Sequence, residues 1–384
     1  MHMIVDTKIV HGNACDIEVR EEGNTAVVEF AADPHGGPEC LWFCFRLKRG
    51  EGEPEPPVGK VRLVLKHFGN ILGGSDPSAI RPVARYAGDE WQRLEPGTAE
   101  NLPDGRVQAH WTIELPTSYV DVALCYPYGC TELGELVSAT DGFWRCDTIG
   151  VSQAARPILR LSNDYGAIDG DRPGLYLIAR QHSGETPGSW VLDGFLRQIA
   201  TLGDDAPLVW AVPLSNIDGV EQGDYGKDNF PYDLNRAWGH PPMRHETLIV
   251  QRDMRRWQKR CRPVLGIDFH APGACETDGM YMYLPAPENY PTEHERADKW
   301  TARLGEALTH QFAAEPANRV ARYRSRWETP GFVGYCCGEL KLCALTIETP
   351  YTSAGTTLFT REAYRQAGER LAAAVAEHVA RGPE

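Results

Sequence analysis

The chain contains no run approaching the ~18 consecutive apolar residues that a membrane-spanning helix requires. Its first residues, MHMIVDTKIVHGNACDIEV, lack the basic, apolar and small-residue zones of a secretory leader. Positive charge is scarce as well. Against 53 Asp and Glu stand only 39 Lys and Arg, a formal net charge of −14. That balance argues against a general nucleic-acid or anionic-membrane surface, although a single pocket can be locally basic on an acidic protein. The eleven cysteines (15, 40, 44, 125, 130, 146, 261, 275, 336, 337 and 343) include no paired CxxC framework. Neither a structural zinc knuckle nor a disulfide scaffold is indicated, and buried free thiols in a reducing compartment, the cytoplasm by default, are expected. Internal repeats and low-complexity tracts are lacking too. What remains is an ordinary globular composition, 42% hydrophobic and 24% charged, over 384 residues, a length that accommodates two domains.

The two halves have different rhythms. Up to about residue 145, short β-rich runs alternate with Gly, Pro and Asp clusters: AVVEFAA (26–32), LWFCFRL (41–47), VRLVLKHF (61–68), VQAHWTIEL (107–115) and VDVALCYP (120–127). This spacing predicts an all-β sandwich domain over 1–145, with KRGEGEPEPPVGK (48–60) as a loop between strands. From 146 to 384, apolar strands LYLIAR (175–180), LVWAVPL (208–214), VLGIDFH (264–270) and LCALTIE (342–348) alternate with helical stretches at 187–201, 245–261, 293–313 and 361–381. In the last of these, Thr360 is a candidate cap and Leu371, Val375 and Val379 recur at helical spacing. Continuous apolar strands between helices predict an α/β domain with a buried, mostly parallel or mixed sheet. Ligands in such sheets sit at the strands' C-terminal ends.

Four strand ends carry chemistry-bearing residues. His182 and Glu185 form an HxxE pair directly after LYLIAR, an imidazole and a carboxylate able to turn toward one metal. His270 closes VLGIDFH at the same sheet edge; taken singly, it also reads as a satisfied core histidine. After the third strand, NIDG is turn chemistry, and DLNR groups Asp233, Asn235 and Arg236. The Arg236 fork suits a carboxylate, Asn235 adds an amide donor, and Asp233 is placed to orient a metal-binding histidine. A surface loop with an Asp–Arg ion pair is the plainer reading of DLNR alone. Glu348 ends the apolar run LTIE, where a carboxylate is costly unless paired or functional. Beside an activated water it would serve as general base. The coincidence of all four on one sheet edge carries the functional reading.

These residues, in this order, resemble the zinc metallocarboxypeptidases of the funnelin type, and among them the cytosolic carboxypeptidase subfamily with its bacterial members. ARQHSGETPGS (179–189) resembles the first metal motif, NIDGV…DLNRAW the substrate-carboxylate segment, IDFHA the third-ligand segment and LTIETPY the catalytic-glutamate segment. CYPYGCTEL (125–133) resembles the end of the β domain that precedes the peptidase domain. The resemblance implies a mixed central sheet flanked by helices and one zinc ion per chain, on His182, Glu185 and His270. It further implies Asn235 and Arg236 as a clamp for a peptide's C-terminal carboxylate, Asp233 in support of His182, and Glu348 as the group that activates water. The implied partner is the C-terminus of a peptide or protein; the oligomeric state is not indicated.

One departure stands out. Ten residues after the Asn of the turn motif, where the subfamily carries an oxyanion-stabilising arginine, this chain has Gly226 followed by Lys227, and Ile217 replaces the proline of the turn. Either Lys227 or a distant arginine supplies the missing charge, or the oxyanion relies on zinc alone. Tyr323 and Tyr335 are candidates for a substrate-gating tyrosine, and Arg322, Arg324 and Arg326 for a basic pocket that would favour acidic C-terminal residues. Two other readings stay open: a zinc amidohydrolase acting on small N-acyl amino acids, and a peptide-binding relative with a weakened active site.

Overall fold

The computed structural model describes residues 3–50, 59–229, 231–321 and 329–381. The first part of the chain forms two five-stranded sheets. One contains Met3–Asp6, Cys44–Arg49, Val83–Tyr86, Gln92–Arg93 and Tyr119–Ala123; the other contains Cys15–Glu22, Thr25–Ala31, Lys60–Leu65, Thr98–Asn101 and Val107–Glu114. Their inner faces meet through aromatic rings. Phe30 stands edge-on to Phe43 and Phe45 at centroid distances of 5.1 and 4.8 Å, and Phe43 lies 6.3 Å from Trp111. Such pairs add about 0.5–1.5 kcal/mol each beyond their burial. Each apolar run expected as a strand lies on one of these sheets, whereas Cys15–Glu22 and Thr98–Asn101 give no apolar signal because they are largely exposed edge strands. Of the expected loop 48–60, residues 51–58 lie outside the described residues, and Lys48, Arg49 and Lys60 belong to strands.

The rest of the chain builds an eight-stranded mixed sheet: β1 (Arg145–Val151), β2 (Pro157–Ser162), β3 (Pro173–Ala179), β4 (Leu208–Val212), β5 (Arg262–His270), β6 (Met280–Leu284), β7 (Ala313–Val320) and β8 (Ala344–Glu348). Their spatial order is β1-β2-β4-β3-β5-β8-β6-β7, and the central strands β4, β3, β5 and β8 run parallel. These four are the continuous apolar runs of the sequence, and nearly all their residues are buried because helices cover both faces. The long helices are α1 (Thr186–Thr201), α2 (His245–Gln258), α3 (Pro291–Phe312) and α4 (Arg361–Ala380), each within three residues of its expected limits. Thr360 does cap α4, its Oγ1 accepting the Ala363 N–H at 3.1 Å. Helices α1 and α4 pack backbone to backbone: a Cβ at Gly194 or Gly368 would overlap the carbonyl of Arg365 or Val191, respectively. No helix among the described residues is long and apolar enough to cross a membrane. Because β3, β5 and β8 are parallel and adjacent, their C-terminal ends deliver residues 180–185, His270 and Glu348 to one edge.

Candidate metal centre

Local backbone chemistry turns the HxxE segment inward. Arg180 follows β3 in the left-handed region (φ 62°), which an arginine adopts only when its surroundings hold it there. Its buried guanidinium donates to the Ser183 carbonyl (Nε, 2.7 Å) and the Tyr128 carbonyl (2.6 Å), drawing 180–183 into a tight turn. The Gly184 N–H donates to Tyr225 O at 2.8 Å, and α1 begins at Thr186 with Pro187 in its first turn. His182 and Glu185 therefore project from a braced turn rather than from a solvated loop.

The donor atoms converge. His182 Nδ1 lies 2.8 Å from Glu185 Oε1, and His270 Nδ1 lies 2.7 Å from Glu185 Oε2. The three residues are buried and offer ligand atoms all within 4.8 Å of one another. On the far side of each ring, Nε2 faces a second carboxylate: Asp233 at 3.2 Å from His182 and Asp268 at 2.8 Å from His270. A proton on each Nε2, facing its carboxylate, is the tautomer that suits a metal at Nδ1. In a neutral imidazole the Nδ1 lone pair is then unprotonated and directed at Glu185. Lone pairs of nitrogen and carboxylate facing each other at such distances call for a cation between them. Without one, the surrounding carboxylates favour a second proton on each ring. Burial works against that, but the carboxylates of Glu185 and Asp233 raise the pKa of His182, and those of Asp268 and Glu185 raise that of His270 well above the usual histidine range. Burial likewise opposes ionisation of Glu185, and the two histidines overcome it and hold the carboxyl well below its ordinary value. Two imidazoles and one carboxylate, each oriented from behind, are the donor set of a three-ligand metal site with an open position. The residues fit one metal ion.

Asp268 was not singled out in the sequence. It accepts from Gln181 Nε2 (2.6 Å) and Asn235 Nδ2 (3.2 Å), the latter also 3.1 Å from His270 Nε2, and Gln181 Oε1 in turn accepts from Trp238 Nε1 at 2.7 Å. Its signal was available: in D-x-H on a strand, the carboxylate and imidazole share a face. Asp233 takes the Asn235 backbone N–H at 2.7 Å and the Asp228 N–H at 3.2 Å besides His182. The DLNR segment is thus a one-turn 3₁₀ helix, Leu234–Arg236, capped by its own aspartate.

The metal ligands open into a cleft of about 390 Å³ that is also lined by Lys227, Asn235, Arg236, Tyr283, Tyr290, Thr346 and Glu348. The Asn235 carbonyl oxygen accepts the Phe332 N–H at 2.9 Å, so this side chain has a fixed orientation. Arg236 donates to the Asn235 backbone carbonyl at 2.7 Å. Glu348 sits beside His270 in the β5–β8 register, and its enclosed Oε2 makes no hydrogen bond among the described residues. Burial pushes the Glu348 carboxyl up to about 7, with His270 opposing the rise and Glu185 adding to it. Gly226 adopts φ 82°, and a Cβ there would overlap Ser183 Oγ and lie 2.7 Å from Ser183 N. No arginine fits at 226 without moving the metal-binding turn, and the next residue, Lys227, is the cation in the cleft near Glu348. Tyr335 is buried away from the cleft against Trp238, with ring centroids 5.5 Å apart. Arg322, Tyr323, Arg324 and Arg326 lie outside the described residues.

No protein-family model matches the chain. It is 32% identical over 197 residues to cytosolic carboxypeptidase 3 of Mus musculus, which covers 45% of this chain and 19% of that protein. It is 28% identical over 255 residues to cytosolic carboxypeptidase 6 of Caenorhabditis elegans, covering 60% of this chain and 54% of that one. The chain thus matches between about a fifth and half of the length of these relatives. Among solved structures, a metallo-carboxypeptidase from Burkholderia cenocepacia superimposes with a TM-score of 0.78 over 100% of both chains at 19% identity. One from Pseudomonas aeruginosa, in complex with (2-guanidinoethylmercapto)succinic acid, gives 0.74 over 98% of this chain and 99% of that one at 21% identity. The chain has the zinc carboxypeptidase fold and is distantly homologous to the cytosolic carboxypeptidases.

Proposed function

We propose that this protein is a zinc-dependent metallocarboxypeptidase that hydrolyses the C-terminal peptide bond of peptides or proteins. The observation that carries the reading is the convergence of His182, Glu185 and His270 within reach of one ion, in the same cleft as Glu348, Lys227 and Arg236. A nitrogen and oxygen donor set of this kind suits zinc, which when bound supplies Lewis acidity toward a carbonyl and lowers the pKa of water. Glu348 accepts the proton of the attacking water and delivers it to the departing amine. Burial raises its pKa in the metal-free site, and a bound dication works against that rise, toward the carboxylate form that accepts the proton. Arg236 and Asn235 hold the substrate's terminal carboxylate, which restricts cleavage to the chain end. Lys227 supplies the positive charge toward the carbonyl oxygen that an arginine at 226 would otherwise provide, a contribution of about 10²–10³ in rate. A preference for acidic C-terminal residues is the finer form of this reading, and a cytoplasmic setting belongs to it as well.

The test is mass spectrometry of peptides ending in Glu, Asp, Lys, Leu or Phe, with an amidated control, incubated with zinc-loaded and chelator-treated protein. Zinc-dependent loss of single C-terminal residues from the free peptides alone is expected. Cleavage of an N-acyl amino acid with none of any peptide would replace this reading by the small-substrate amidohydrolase.

A further inference from the structure

The segment that carries Lys227 is held from outside its own domain. Between Gly223 and Asn229 the backbone takes left-handed values at Gly223 (φ 75°), Gly226 (φ 82°) and Asp228 (φ 53°), a path with little local preference of its own. The N-terminal sheets touch it at successive points. Buried His11 faces the Val220 carbonyl through Nδ1 at 2.9 Å. Asn13, 1% exposed, has every side-chain hydrogen-bonding atom engaged: Nδ2 donates to Gly223 O (2.8 Å) and Asp33 O (2.9 Å), and Oδ1 accepts the Asp33 N–H (2.8 Å). Three residues before Lys227, Asp224 Oδ1 meets His35 Nδ1 at 2.7 Å. Two residues after it, Asn229 packs so closely on Gly37 that a Cβ at 37 would overlap Asn229 Oδ1 and lie 3.4 Å from the Lys227 carbonyl oxygen. Lys227 is thus bracketed by a loop, 33–37, contributed by the β-sandwich. Gly37 is not among the positive-φ glycines, so close approach rather than backbone conformation requires it.

We propose that the N-terminal domain is a working part of the active site, in which Asn13, His35 and Gly37 act as positioning residues that hold 223–229 and thereby aim Lys227 into the cleft. The metal ligands stand on the sheet edge and the 180–185 turn, which meets the braced segment through the Gly184 N–H on Tyr225 O, so the brace acts on Lys227 directly and on the metal only through that turn. Three contacts, two from the 33–37 loop and one from the buried Asn13 amide, serve a single stretch of chain, and that stretch carries the residue that the sequence supplies in place of an arginine. The inference rests on the role proposed above for Lys227.

The experiment compares wild type with Gly37→Ala, His35→Ala, Lys227→Met and Gly37→Ala/Lys227→Met, reading amide hydrogen exchange, bound zinc, and kcat and KM separately. His35→Ala, which removes a half-exposed side chain, serves if Gly37→Ala does not fold. The brace predicts exchange at 223–229 faster by about tenfold or more with 262–270 unchanged. It also predicts, at saturating zinc, kcat lower by about 10–100-fold and KM within about threefold. The double variant should be no slower than Lys227→Met, because both act through one side chain. Unchanged exchange at 223–229 overturns the brace, and a double variant whose losses multiply overturns its action through Lys227. If wild type cleaves no peptide, the reading of Lys227 fails, and the exchange measurement alone decides whether the brace exists.

Discussion

Replacing Asp268 by asparagine tests how much of the metal site is built behind the ligands. In the structure Asp268 Oδ2 accepts from Gln181 Nε2 at 2.6 Å and Asn235 Nδ2 at 3.2 Å and lies 2.8 Å from His270 Nε2, in fully buried surroundings. The asparagine has nearly the same shape, but it lacks the negative charge and introduces two N–H donors where two donors already point. The His270 ring then loses a charged acceptor that fixes its tautomer and makes Nδ1 a better ligand. The loss of such a partner weakens metal binding by about 10–100-fold, equivalent to about 1.4–2.7 kcal/mol. Zinc affinity is measured by competition with a chromophoric chelator at fixed pH, with circular dichroism as the control on folding. A folded Asp268→Asn protein that binds zinc within about twofold of wild type would refute the reasoning, because the aspartate would then be a buried charge with no influence on the ligand it touches.

Glu348→Gln should retain zinc and lose about 10²–10⁴ in kcat, since the amide keeps the shape but cannot take a proton; comparable turnover would remove Glu348 from the chemistry. Thermal unfolding of His35→Ala against pH tests the Asp224 contact. Its hydrogen bond to Asp224 raises the His35 pKa, so the pair's stabilisation is present below the unfolded value near 6.5 and is lost as pH rises through the folded value. Wild type should accordingly exceed the variant most at about pH 5.5 and least at about pH 8.5, and a gap that widens with pH would contradict this. Gly226→Ala should destabilise the protein by about 1–3 kcal/mol in urea unfolding, because it combines a positive φ with overlap on Ser183. An unchanged midpoint would mean that this turn is not under the constraint described.

Much of the fold was legible because buried parallel strands are unbroken apolar runs, and the residue that ends each run stands at the sheet edge where ligands bind. That logic placed His182, Glu185, His270 and Glu348 on one edge before any coordinates, and the structure brings them around one cleft. It could not register strands that bury little, such as the exposed Thr98–Asn101. Asp268 lies two residues inside the strand end, on the face of His270 by the two-residue period, in a position that an apolar run does not mark. The left-handed Arg180 that turns the HxxE pair inward, and the amide of Asn13 reaching Gly223, have no local signature at all. Contacts between residues some 200 positions apart are written in the packing of the N-terminal sheets against the rest of the chain rather than in any motif.

The most direct test of the account is a zinc titration of the chelator-stripped protein, followed by turnover of a peptide with a free C-terminus. A single three-ligand site on His182, Glu185 and His270 predicts activity that rises linearly and reaches its plateau at one zinc per chain, with an amidated peptide left intact throughout. Turnover that is independent of zinc, or cleavage of the amidated peptide at the same rate, would contradict it.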